Sequence, residues 1–237
     1  MSEEKMNLAR YMAHCGIASR RKCSTLIEQG LVLVNGQPCE QISMKIDVQK
    51  DKVEYAGKTL SLDSYEYYLL HKPSGYVCSS EDQYAEKLAV DLIKTKARLF
   101  SVGRLDRESE GLIFFTNDGD WANRISHPRY EVRKTYLLTI KGQLGQANLD
   151  KMKSGIRDED ELLKVDSAKI VRQTKTQCVV EVILSEGKNR ELRRICRALK
   201  LPLKRLLRIR IGDIELGKLE TGIYRKLSKQ ERDSFLK

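Results

Sequence analysis

What this sequence lacks narrows its possibilities before any motif is read. Its six cysteines, Cys15, Cys23, Cys39, Cys78, Cys178 and Cys196, are scattered, and no two stand in a C-x-x-C pair. With only His14, His71 and His127 to join them, no zinc-binding pattern forms and no metal site is expected. The cysteines read as reduced core fillers, which points to a reducing compartment, the cytoplasm. Long apolar runs are missing too. "VVEVIL" is among the longest and falls far short of a membrane span, and "MSEEKMNLAR" lacks the apolar segment of a secretory leader. Neither an internal repeat nor a low-complexity tract occurs. Acidic residues are in deficit, 33 against 44 Lys and Arg, leaving a net charge of +11. A surplus of that size favours a polyanionic partner, nucleic acid above all, although basic proteins are also simply soluble. Hydrophobic residues make up 41% of the 237, enough for a real core and for one large domain or a small and a medium one.

Residues 6–54 read as a compact unit. "MNLARYMAHCG" places Leu8, Tyr11 and Met12 at helical spacing and stops at Gly16. Ser19 then looks like an N-cap for "RRKCSTLIEQG", and "LVLVNGQ" alternates before an Asn35-Gly36 hairpin turn. The polar stretch 55–65 is expected to be a linker. From residue 66 to 237 the pattern changes to short strands such as "GLIFFT", "TYLLTI" and "CVVEVIL". Helical stretches interrupt them at about 84–97, 146–153 and 188–200. The expected class is α+β, with a mostly antiparallel sheet flanked by helices.

Four stretches carry possible chemistry. Arg20, Arg21 and Lys22 fall in the first turn of a helix, where cations oppose the helix dipole. They suit a phosphate site or a solvated basic turn. In "KNRELRRICRALK", Leu192, Ile195, Cys196 and Leu199 form one stripe, while Arg190, Arg193, Arg194 and Arg197 gather on another face, Arg193 nearest the apolar edge. Between 188 and 210 ten cations face Glu191 alone, a density that calls for a polyanion or an acidic partner surface. Asp106 lies between Arg104 and Arg107 ahead of the apolar strand "GLIFFT", either as a salt-bridged structural residue or as a reactive group. Tyr136 heads a strand after Arg133 and Lys134, as half-buried packing or as a platform for a base.

Together these pieces resemble the RsuA-like pseudouridine synthases. "GRLDRESEGLIFFTNDGD" is similar to the catalytic signature of that family, "HKPSGYV" to its Lys-Pro strand motif, "HPRYEVRKTY" to its Lys-Thr-Tyr segment, and "SEGKNRELRRI" with "RLLRIRIGDIEL" to its C-terminal motif. "LARYMAHCGIASRRKCSTLIEQGLVLVNGQ" resembles an S4 RNA-binding domain. Asn7-Leu8 departs from the Arg-Leu opening of many such units, and His71 stands where Asn is frequent.

The resemblance implies a cofactor-free isomerisation of uridine to pseudouridine in a flipped-out nucleotide. Asp106 would act at the ribose, as nucleophile or as the base for the C2′ proton. Arg193 would pair with it, and Tyr136 would stack on the uracil and help remove the C5 proton. Arg104 would hold the place of the extruded nucleotide. Lys72, Lys188, Arg190, Arg194 and Arg197, with Ser19, Arg20, Arg21 and Lys22, would contact the RNA. The wording looks most like the RluB branch, which implies 23S ribosomal RNA, free or in an assembling subunit, and a cytoplasmic monomer away from membranes. Two other readings stay open: a small-subunit 16S enzyme, and a non-catalytic RNA-binding or ribosome-assembly protein in which Asp106 is structural. A DNA-binding regulator fits less well, because a hairpin follows the second helix.

Overall fold

A computed structural model describes residues 5–79 and 87–236, which divide into two units. One runs to Tyr65 and includes Lys96–Arg98; the other holds Glu66–Thr95 and the chain from Leu99 onward.

In the first unit β1 (Lys5–Asn7) leads into α1 (Leu8–His14). Asn7 caps that helix, its Oδ1 accepting the Arg10 N–H at 3.3 Å. Asn7 therefore has a local structural use in place of the missing cation. Ser19 caps α2 (Arg20–Glu28) in the same way through the Lys22 N–H. β2 (Val32–Val34) and β3 (Gln37–Cys39) form the expected hairpin, and Asn35 and Gly36 both take left-handed φ, 52° and 81°. β4 (Lys45–Asp47) pairs with β1, and β5 (Val53–Tyr55) with β2.

The expected linker at 55–65 needs correction at its start. Tyr55 belongs to β5, a turn at Ala56-Gly57 reverses the chain, and β6 (Lys58–Thr59) pairs back onto β5. Leu60 is then buried with Leu8, Met12, Ile27 and Val32. The segment is polar because it forms an exposed edge, and polarity alone does not separate an edge strand from a tether.

The second unit is built on one nine-stranded sheet. In chain order its elements begin with β7 (Tyr67–Lys72), β8 (Phe100–Val102), β9 (Glu110–Thr116), α3 (Gly119–Ser126) and β10 (Lys134–Lys141). Next come α4 (Gln146–Ser154), the separate hairpin β11 (Ile156–Asp158) with β12 (Glu161–Leu163), β13 (Ser167–Gln173) and β14 (Gln177–Leu184). The chain closes with α5 (Glu191–Ala198), β15 (Leu203–Ile211), β16 (Ile214–Glu215), β17 (Tyr224–Lys226) and α6 (Lys229–Asp233). The sheet order is β13-β14-β10-β15-β9-β7-β17, with β8 beside β9 and β16 beside β15. Among the strands of this sheet in the described residues, only β15 and β9 run parallel, so the α+β class with a mostly antiparallel mixed sheet stands. β9 is "GLIFFT" with Glu110 before it, and from Gly111 to Thr116 it is buried throughout, as its unbroken apolar run requires.

Two helical expectations change. The stretch expected at 84–97 begins outside the described residues, and from 87 on it holds only a 3-10 turn, Ala89–Leu92. There the backbone is engaged elsewhere: Val77 N–H donates to Lys87 O and Ala89 N–H to Val77 O, so a tertiary bridge replaces helix bonds. Conversely, α3 was hidden inside a turn signal. Asp118 of "TNDGD" is a helix cap whose Oδ1 accepts the N–H groups of Asp120 and Trp121, each at 3.1 Å. Asn, Asp and Gly serve turns and helix starts alike, so the local signal is ambiguous. α3 buries Trp121 and Ile125 against Leu69, Leu112 and Phe114. All six cysteines are free thiols, five of them buried. Among the described residues no helix is long and apolar enough to cross a membrane, and no cluster of metal-ligating side chains occurs.

Candidate active site

Asp106 lies in the loop that joins β8 to β9, and the loop is pinned from below. Leu105 is buried, and its N–H donates to Cys78 Sγ at 3.4 Å. Ser109 N–H closes the loop on Asp106 O at 3.0 Å. Arg107 O accepts from Gly75 N–H at 2.7 Å and from Lys72 Nζ at 3.3 Å. A carboxylate on this loop is thus held by rigid neighbours, although it follows no regular element.

The cation that meets it comes from α5, 87 residues away in sequence. Arg193 Nε donates to Asp106 Oδ2 at 3.2 Å, and Nη2 donates to Ser109 Oγ at 3.0 Å. Ser109 is fully buried, so its hydroxyl fixes the second prong of the guanidinium fork. The side chains of Asp106 and Arg193 are 25% and 20% exposed, sheltered yet reachable from outside. The amphipathic geometry of α5 sets this up. Leu192, Ile195 and Cys196 are buried, and Arg193 stands at the edge of that face, half-buried, as its sequence position implies.

Tyr136 joins the same cavity from β10, where it lies between Val182 of β14 and Arg208 of β15. It is 8% exposed. The cavity measures about 100 Å³, and its lining includes Arg104, Asp106, Tyr136, Lys188, Arg190 and Arg193. Arg190 also pairs with Glu108 at 3.3 Å, and Lys188 Nζ donates to Leu162 O at 2.7 Å. The Glu108 carboxyl sits below its ordinary range, held there by a backbone N–H and by the charges of Arg190 and Arg193. What results is a small cationic cavity in which Asp106 is paired to a fork of donors beside an aromatic wall, with the more deeply buried Glu191 also in the lining. Such a site holds a planar group beside a carboxylate that can attack or take a proton.

Some expected contacts are not in this cavity. Lys72 is wholly buried, and its ammonium donates to Pro73 O at 2.9 Å, Tyr76 O at 2.8 Å and Arg107 O at 3.3 Å. It does not face a phosphate; it ties the Lys-Pro strand end to the Asp106 loop. Burial pushes its pKa down. His71 is likewise buried, with Nδ1 on Leu219 O at 2.7 Å, so its departure from Asn concerns packing. Arg194 is bound by Asp158 and Glu161 of the β11–β12 hairpin, and Arg197 shares Asp158. The arginine face of α5 is therefore partly a structural clasp, which holds the hairpin against the helix. Ser19, Arg20, Arg21 and Lys22 lie in the first unit, the three cations exposed at the start of α2 with no acid in that turn. Ser109, Cys78 and Arg208 were missed. A lone serine, a buried thiol and one arginine among ten cations carry no local signal.

The burial of Lys72 leads to an expected result. Lys72→Met strands three carbonyl groups, and the variant should lose about 1–3 kcal/mol in urea unfolding. Its RNA affinity in filter binding should match the parent's. A variant as stable as the parent that bound RNA more weakly would return Lys72 to the list of contacts.

Residues 66–198 match the RNA pseudouridylate synthase family, and residues 6–53 match the S4 domain. Over 94% of its length the chain is 34% identical to the ribosomal large subunit pseudouridine synthase B of Bacillus subtilis, spanning 93% of that protein. Over 98% of its length it is 33% identical to the ribosomal small subunit pseudouridine synthase A of Vibrio vulnificus, all of which it spans. A crystal structure of a pseudouridylate synthase superposes with a TM-score of 0.67 at 30% identity, over 96% of this chain and 98% of that one.

Proposed function

Because this chain belongs to the RNA pseudouridylate synthase family, we propose that its Asp106 cavity isomerises uridine to pseudouridine in ribosomal RNA. The observation that carries the assignment of residues is the Asp106–Arg193 pair beside Tyr136 in one cavity. A target base must leave its stack to reach an acid placed there, at a cost of a few kcal/mol that an already looped RNA lowers. Arg104, exposed at the rim, takes the place of the extruded nucleotide. Asp106 acts at the sugar, by attack on C1′ or removal of the C2′ proton, and the N1–C1′ bond breaks. The uracil turns against Tyr136, and C5 joins C1′. One C–N bond is exchanged for one C–C bond inside a nucleotide, with no electrons gained or lost, and the reading assigns the reaction no cofactor. Arg193 orients Asp106 throughout and offers its charge to the oxyanion that the acid bears.

The first unit, taken as an S4 RNA-binding domain over residues 6–54, grips the RNA through Ser19, Arg20, Arg21 and Lys22; residues 66–237 form the catalytic domain. We assign the substrate to large-subunit 23S rRNA, free or in an assembling subunit, acted on by a cytoplasmic monomer. The near-equal likeness to the small-subunit enzyme of Vibrio vulnificus keeps 16S rRNA as the second reading. Pseudouridine mapping of rRNA from cells with and without the protein tests both. A site lost from 23S supports the first reading, one lost from 16S the second, and an unchanged map defeats both. Arg20→Glu with Arg21→Glu should weaken rRNA binding roughly tenfold or more at physiological salt, and flatten its salt dependence. Turnover on a short stem-loop should change little. Equal rRNA binding by variant and parent would remove these residues from the interface.

A further inference from the structure

Behind Tyr136 lies a charge that has no counter-ion among the described residues. Arg208, on β15, is 3% exposed. Its Nε donates to Leu112 O at 2.7 Å, its Nη1 reaches the Tyr136 hydroxyl at 3.5 Å, and its Nη2 is buried with no hydrogen-bond partner. The guanidinium carbon stands 5.9 Å from the centre of the Tyr136 ring. Its neighbours on the strand are paired, Arg205 with Glu110 at 2.7 Å and Arg210 with Glu215 at 2.6 Å. For Arg208, no carboxylate among the described residues comes within ion-pair reach. Burying a guanidinium without an opposite charge beside it is costly. Lys134, two residues before Tyr136, adds to the same field: burial and the charge of Arg208 push its pKa down to about 8. Such an arrangement suits a negative charge that exists only during the reaction.

We propose that Arg208 is a positioning residue for the last proton transfer, holding the Tyr136 oxygen in place and compensating its charge as that oxygen takes the C5 proton of the rejoined base. In that step the C5–H bond breaks and its electron pair forms the C5–C6 double bond. The pair of the C6–N1 double bond moves onto N1, which takes a proton from water. The proton from C5 passes to the phenolate oxygen of Tyr136, whose own proton has gone to water.

The inference rests on Tyr136 acting in proton removal, and its test separates the two ideas. RNA carrying hydrogen or deuterium at C5 of the target uridine is followed in single turnovers with the parent, Arg208→Met, Tyr136→Phe and the double variant. Arg208→Met should bind RNA like the parent, turn over on the order of 100-fold more slowly and show a larger C5 isotope effect. In the Tyr136→Phe background the same change should cost no more than about twofold further, because the two side chains act as one unit. Losses that multiply, or an isotope effect equal to the parent's, overturn the role of Arg208 while leaving Tyr136 in place. A Tyr136→Phe enzyme as fast as the parent overturns the role of Tyr136 itself. Should Arg208→Met fail to fold, Arg208→Gln retains a donor for Leu112 O without the charge and is judged by the same two criteria. Arg208→Lys, which restores charge, should bring the isotope effect back toward the parent's.

Discussion

Asp106→Asn is expected to abolish pseudouridine formation, by on the order of 10⁴-fold or more in single-turnover C5 hydrogen release, while RNA binding survives. The substitution keeps the shape of the side chain. Arg193 Nε, now 3.2 Å from Asp106 Oδ2, can still donate to the amide oxygen, and Nη2 keeps Ser109 at 3.0 Å. What disappears is the only feature the reaction needs from this position, a group that can attack carbon or accept a proton. Binding should hold or tighten slightly, because one negative charge is removed from a cavity lined by Arg104, Lys188, Arg190 and Arg193. Measured together, filter binding and turnover distinguish the enzyme from a protein that only grips RNA. A variant within tenfold of the parent rate would make Asp106 structural and leave the chemistry without its acid.

Gly111→Ala is expected to cost more stability than the same change at any other glycine of this chain. A Cβ at Gly111 would lie 2.2 Å from Arg208 O, 2.7 Å from its N and 2.9 Å from its C. All three are backbone atoms of the paired strand, so no side chain can swing away. The residue also holds φ at +108°, which an L side chain rarely adopts. Overpacking and backbone strain together should cost roughly 3–5 kcal/mol. In a chain of this size that is a fall of about 10 °C or more in Tm, followed by circular dichroism. Activity should fall further than stability alone implies. Gly111 pairs with Arg208 where β9 meets β15, and that contact joins the Asp106 loop to the strand beside Tyr136. Gly119→Ala is the control. It adds a methyl at the first turn of α3 with no atom within 4 Å, and should be neutral or stabilising by up to about 1 kcal/mol. Equal melting of the two variants would refute the account of the β9–β15 contact.

Much of the molecule was legible along the chain because its signals are short-range. Capping by Ser19, the Asn35-Gly36 turn, the unbroken apolar run of β9 and the stripe of Leu192, Ile195 and Cys196 each depend on residues a few positions apart. Where one residue type serves two local purposes, the reading failed. The Asn117-Asp118-Gly119 signal fits a turn and a helix start equally, and Asp118 is a helix cap; the polar stretch after Tyr55 reads as a tether and supplies an edge strand.

The sequence by itself therefore determined the elements whose signals are local, the charge of the molecule and an acid set between arginines ahead of a buried strand. Tertiary structure alone decided which cations that acid and its surroundings would meet. Arg193 reaches Asp106, Arg194 is taken by Asp158 and Glu161, Lys72 turns inward onto three carbonyls, and Arg208 stands behind Tyr136 with no acid beside it among the described residues. These outcomes depend on the register of strands and on a helix packed from far along the chain. A sequence pattern reports the face of an element on which a charge lies, whereas pairing energy depends on distance and burial across elements, which exist only once the chain has folded.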